Sequence, residues 1–182
     1  LGLGGVAHAE FIITVDQVGS DVVATGSGTI NTNALVLSSA GTAGPHVNPS
    51  NGTIYLGALA AYEQGTSVSG PANFGTGVKV SASSGSGDLV GVNEANSRLL
   101  LPAGYVSGAS LGDTATWDNT TLSAIGFTLG TYIYTWGSGA TADSLVVDVG
   151  PVATPEPASL PVLGFGVFAL GLLWRKRGNA TL

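Results

Sequence analysis

His46 carries the widest chemical repertoire in the chain, and it stands in a turn-rich stretch, Gly44-Pro45-His46-Val47-Asn48-Pro49. An imidazole can act as a general base, complete a Ser-His-Asp triad or ligate a metal. The chain has two histidines and no cysteine. The other histidine, His8, lies in an N-terminal segment that reads as a signal remnant, so a triad would have to use His46 alone. Thiolate metal sites, disulfides and Cys nucleophiles are excluded outright. For His46 the ordinary outcome in such a stretch is an exposed turn residue.

Carboxylates are the second source of chemistry. Glycoside hydrolysis requires two of them, about 5–10 Å apart across a cleft. Asp113 and Asp118 are close in sequence, and Glu63 and Glu94 are the long acids best able to reach into a cleft. None stands in a recognisable motif, and the expectation is solvated turn residues. Asp88, Asp113, Asp118 and Asp143 fall in Gly/Ser/Asn-rich loops that offer hard oxygen ligands to calcium. EF-hand spacing and Gly-Gly-x-Gly-x-Asp arrays are missing, so no metal and no other cofactor is expected. No Lys follows the Gly-Ser-Gly tripeptides, which therefore read as tight turns rather than phosphate loops. Trp117, Trp136, Tyr132 and Tyr134 would form a glycan-stacking platform if their faces were exposed. Aromatics at a period of two more often build a core.

Charge narrows the classes further. The 182 residues include 5 basic and 11 acidic side chains, a net charge of −6. Nucleic acid, which is bound by Lys and Arg neutralising phosphates, is an unsuitable partner. Three of the cations are Arg175, Lys176 and Arg177, leaving only Lys79 and Arg98 elsewhere.

Two-residue periodicity dominates between the ends. Phe11, Ile13 and Val15 alternate with Glu10, Ile12, Thr14 and Asp16. Val78 and Val80 flank Lys79. Tyr132, Tyr134 and Trp136 share one face, and Leu145, Val147 and Val149 share another. Clusters at Gly26-Ser27-Gly28, 41–52, 83–88 and Gly137-Ser138-Gly139 separate these runs as turn signals. The pattern predicts an all-β, antiparallel β-sandwich or jelly-roll-like domain over residues 10–150. Helix is expected only at 119–125, capped by Asp118 or Asn119, and more weakly at 56–63.

The ends carry addresses. Leu-Gly-Leu-Gly-Gly-Val-Ala-His-Ala opens the chain, and Ala7 and Ala9 match the A-x-A pattern of signal-peptide cleavage. Residues 1–9 thus read as a trimmed signal, its basic n-region missing. Residues 158–174 hold no charge, long enough at about 1.5 Å per residue for a short membrane helix. Arg175, Lys176 and Arg177 follow as a stop-transfer cluster, so the positive-inside rule places 175–182 in the cytoplasm and everything before Ala158 outside.

Pro155-Glu156-Pro157, in the linker 151–157, precedes this apolar segment. A Pro-Glu-Pro triplet, an apolar helix containing Leu163-Gly164 and a basic cluster, in that order, resemble the PEP-CTERM sorting signal of Gram-negative bacteria. The resemblance covers residues 154–180. It implies recognition of Pro155, Glu156 and Pro157 by exosortase, a membrane protease/transpeptidase. It also implies an inner-membrane precursor whose tail is removed, and delivery of the body to the outer surface or extracellular matrix. The body stretches Ser83-Ser84-Gly85-Ser86-Gly87-Asp88, Leu101-Pro102-Ala103-Gly104-Tyr105-Val106-Ser107-Gly108 and Thr135-Trp136-Gly137-Ser138-Gly139-Ala140-Thr141-Ala142-Asp143-Ser144 resemble PEP-CTERM proteins of unassigned function. The resulting expectation is a non-enzymatic structural or adhesive protein in contact with extracellular polysaccharide. The rivals are a carbohydrate-binding module using Trp117 or Trp136, an ice-binding surface built on a regular Thr-rich face, and a carboxylate-dependent hydrolase.

Overall fold

The computed structural model describes residues 10–150. The chain divides between Val152 and Ala153, and every described residue belongs to the first unit. Cleavage residues Ala7 and Ala9, the Pro155-Glu156-Pro157 triplet, the apolar segment 158–174 and the Arg175-Lys176-Arg177 cluster lie outside the described residues. Among the described residues no helix is long and apolar enough to cross a membrane.

Alternation of apolar and polar side chains produces two sheets. One contains β1 (Glu10–Val18), β2 (Asp21–Thr29), β8 (Ser84–Gly87), β11 (Ser110–Trp117), β12 (Gly130–Trp136) and β13 (Asp143–Val149), in the order β12-β13-β1-β2-β11-β8. The other contains β3 (Leu37–Ala43), β4 (His46–Asn48), β5 (Thr53–Leu56), β6 (Ala60–Thr66), β7 (Val80–Ser81), β9 (Val90–Asn93) and β10 (Arg98–Pro102), ordered β3-β6-β10-β9-β5-β4-β7. Phe11, Ile13, Val15, Leu145, Val147 and Tyr134 from the first sheet join Ile54, Leu56, Val90, Val92, Leu99 and Leu101 from the second in one apolar core. Burial of these side chains, each contributing about 1.5–3 kcal/mol, drives the association of the two layers. Tyr105 ties the layers at one end. Its hydroxyl donates to the Ala109 carbonyl at 2.7 Å and accepts the Ile30 N–H at 3.0 Å.

Several expectations require correction. The sheets are not wholly antiparallel, because β1 runs parallel to β13, with Phe11 beside Leu145 and Val15 beside Val149. Parallel neighbours need a crossover, and the entire intervening chain supplies it. Gly26-Ser27-Gly28 lies within β2, and Ser84–Gly87 is β8, rather than turns. Glycine serves close approach at these positions. A Cβ on Gly26 would meet the Asp113 carboxyl and the Phe11 ring, and one on Gly85 would meet Pro45 and the Gly57 carbonyl. Residues 56–63 end β5 and begin β6, since pairing with β3 and β10 overrides any local helical preference.

The short α-helix α1 (Leu122–Ile125) falls where expected, but Thr121 caps it, accepting the Ala124 N–H at 3.1 Å. Asp118 and Asn119 are committed elsewhere: their N–H groups donate to Ser83 Oγ and to the Asp21 carboxylate. Val78 is exposed outside β7, which is only two residues long.

Candidate functional site

The aromatic platform is absent from the surface. Trp117 and Trp136 are 2% and 4% exposed, and their indole N–H groups donate inward to the Val80 and Asn31 carbonyls at 3.2 and 2.9 Å. Both fall on the inward side of their strands, where each ring fills the core and each N–H still finds an acceptor. Tyr134 is likewise buried, its hydroxyl on the Pro71 carbonyl, and Tyr132 packs edge-on against Phe74. No face remains at the two tryptophans for a sugar to stack on.

The acids are scattered in position and role. Glu63 accepts the Tyr105 N–H at 3.1 Å, Glu94 packs its stem against Gly52, and Asp118 is exposed. Asp143 is buried and accepts the Asn31 and Ser144 N–H groups at 2.6 and 2.7 Å, an arrangement that orders the chain between β2 and β13. Among the described residues no group of three or more His, Cys, Asp or Glu side chains converges as a metal site.

Asp113 is the exception among the acids. It lies on the inward face of β11 with Leu111, Ala115 and Trp117 and is 5% exposed. Among the described residues neither carboxyl oxygen makes a well-formed hydrogen bond, and the neighbouring Gly26 backbone is only a minor counterweight that favours the charged form. Loss of hydration, reinforced by the nearby Asp88 carboxylate, pushes its pKa up to about 8. Asp113 is therefore held toward its neutral form at pH 7. Glycines flank it on both neighbouring strands, Gly26 on β2 and Gly87 on β8. The carboxyl fills the volume a Gly26 side chain would take. The strict alternation Leu111-x-Asp113-x-Ala115-x-Trp117 is the signal that places it inward.

The outward face of the same sheet carries a row rich in hydroxyls. Strand register carries one row across six strands, from Ser86 through Thr114, Thr25, Thr14 and Asp148 to Thr131. Neighbouring strands are about 4.8 Å apart, which sets the spacing of the row. Within it Thr14 and Thr25 Oγ1 lie 2.8 Å apart, and Ser86 Oγ lies 2.9 Å from Thr114 Oγ1. Beside it runs a second row, Ile12-Val146-Ile133, with Ile12 and Ile133 exposed.

On the other sheet, His46 is a wall of a cleft of about 410 Å3 lined also by Thr42, Pro45, Leu59, Lys79 and Ser81. Its ring packs edge-on against Tyr55, with centroids 4.5 Å apart. Nδ1 lies 2.9 Å from the Gly44 carbonyl. A carbonyl can only accept, so Nδ1 carries the proton and Nε2 of the neutral ring is an acceptor. Burial, with a smaller contribution from the Lys79 ammonium, holds the imidazole below its usual pKa, against the opposing effect of the Gly44 carbonyl. The histidine expected to be an exposed turn residue is half-buried at the head of β4, paired across the ladder with Tyr55 and Ser81.

No family model matches the chain, and no curated protein matches it either.

Proposed function

We propose that the chain is an exported, non-catalytic surface or matrix protein whose β-domain adheres to hydrated polysaccharide. In this reading the Pro155-Glu156-Pro157 triplet, the membrane helix 158–174 and the Arg175-Lys176-Arg177 cluster form a sorting signal read by exosortase. The support for it is the order of these elements in the sequence and their likeness to PEP-CTERM tails. The role of the domain rests on one observation, the row of five hydroxyls and one carboxylate Ser86-Thr114-Thr25-Thr14-Asp148-Thr131 beside the exposed aliphatic residues Ile12 and Ile133, with Val146 buried between them. A glycan chain presents hydroxyl edges and aliphatic C–H faces, and two such rows side by side complement both. Ice presents only hydroxyl-bonding water, and the aliphatic row interrupts the regular Thr face that an ice-binding surface requires. The observation therefore favours polysaccharide.

Two experiments test the proposal. Alanine at Pro155, Glu156 and Pro157 is expected to trap the uncleaved protein in the inner membrane; normal release sinks the sorting signal. Replacing Thr14, Thr25 and Thr114 together by valine keeps shape and strand preference while removing the central hydroxyls. That variant is expected to lose most of its retention on the matrix polysaccharide of the producing cells, and unchanged retention sinks the adhesive face.

A further inference from the structure

The cleft beside β7 gathers chemistry of a different kind from the hydroxyl face. Ladder pairing sets Ser81 directly opposite His46. Lys79 is two residues earlier, so an extended chain carries its side chain toward the same side. Its ammonium is close enough to His46 to oppose protonation of the ring. Lys79 and Arg98 are the only cations among the described residues, and Arg98 is bonded to Gln64 at 2.7 Å. No hydrogen bond or ion pair among the described residues engages Lys79. Thr42 and Ser81 add exposed hydroxyls, and Leu59, 73% exposed, adds an aliphatic wall with Pro45. Among the described residues of a chain of net charge −6, one ammonium is thus left uncommitted at a concave site.

We propose that this cleft binds a small polyhydroxylated carboxylate, the chemistry of a uronic acid residue. Lys79 Nζ takes the carboxylate, His46 Nε2 accepts a ring hydroxyl, Ser81 and Thr42 bond further hydroxyls, and Leu59 with Pro45 covers an aliphatic face. A volume of about 410 Å3 suits a monosaccharide unit. A single ammonium matches a monoanion. Tight phosphate recognition gains most from forked guanidinium donors, and the one cation lining this cleft is a lysine, a point charge. A neutral sugar would cover the ammonium without giving it a partner.

The full chain, followed by NMR at the His46 imidazole, is titrated with sodium glucuronate, glucose and inorganic phosphate. Glucuronate is expected to give a saturable shift, weakened by added salt. Lys79→Ala is expected to weaken binding about tenfold or more and Lys79→Arg to restore part of it. Ser81→Ala, which keeps the cation, is expected to weaken it less. The proposal is overturned by no saturable glucuronate shift, by glucose binding equally well, by phosphate binding more tightly, or by unaltered binding in Lys79→Ala. The valine variant of the hydroxyl face should bind glucuronate normally, so this site and the adhesive face fail or stand separately.

Discussion

Asp113 and His46 are both held toward their neutral forms by loss of water, yet they sit in opposite settings. Asp113 is closed inside the sandwich, on the inward face of β11, with no well-formed hydrogen bond to either oxygen among the described residues. His46 borders an open cleft, with Nδ1 committed to the Gly44 carbonyl. A buried polar group without a partner costs stability, on the order of 1–3 kcal/mol for a neutral group, and returns nothing to binding. A half-buried one on the wall of a cleft stays within reach of solvent and solutes. Desolvation alone therefore does not mark a functional site; access does.

The two groups also tilt stability in opposite directions with pH. Asp113 binds a proton more tightly when folded, with a pKa of about 8 against an ordinary value of 3.8. Its contribution is complete below about pH 4, declines as the unfolded chain ionises and is gone above about pH 8. The full swing is on the order of 5 kcal/mol. Asp113→Asn keeps the shape and removes the charge. It is expected to flatten the fall in urea-unfolding stability between pH 4 and pH 8 and to be the more stable protein at pH 8. An unchanged slope in that variant would mean that Asp113 ionises without penalty.

Packing around the same carboxyl gives the next largest effect. Gly26→Ala drives a methyl into the space shared by Asp113 and Phe11. Overpacking of this kind costs about 1–3 kcal/mol. In an Asp113→Ala background the methyl has room, and the cost measured by chemical denaturation should shrink clearly. Equal costs in the two backgrounds would show that Phe11, and not the carboxyl, sets the limit.

The same residues show what a sequence can disclose. Alternation reveals β1, β12 and β13 because apolar residues at every second position have only one face to bury. The pattern also reveals Asp113 once β11 is read through to Trp117, but the surrounding Gly, Ser and Asn make the stretch resemble a loop. Gly26 and Gly85 mislead for a related reason. Glycine punctuates turns, yet here it admits a neighbour's side chain or carbonyl, and that neighbour is distant in sequence. The hydroxyl row contains one residue from each of six strands, so it exists only through register. The cleft joins His46 to Ser81 across a ladder, and no local spacing encodes that pairing. The parallel partnership of β1 with β13 is equally nonlocal.

The smallest effect separates the cleft from the core most cleanly. His46 binds a proton less tightly when folded, first because it is buried and to a lesser degree because Lys79 is near. Its contribution to stability is present above the ordinary histidine pKa and falls away as acid protonates the unfolded chain, the reverse of Asp113. Lys79→Ala removes only the charge contribution. The His46 pKa is therefore expected to rise yet stay below its ordinary value, because burial against Tyr55 persists. Lys79 is exposed, so stability at neutral pH should hardly change. NMR titration of the imidazole in the two proteins decides it. A pKa that does not move places the ammonium too far from the ring to share a ligand with it, and a large loss of stability would make Lys79 part of the framework, like Asp113, rather than part of a receptive surface.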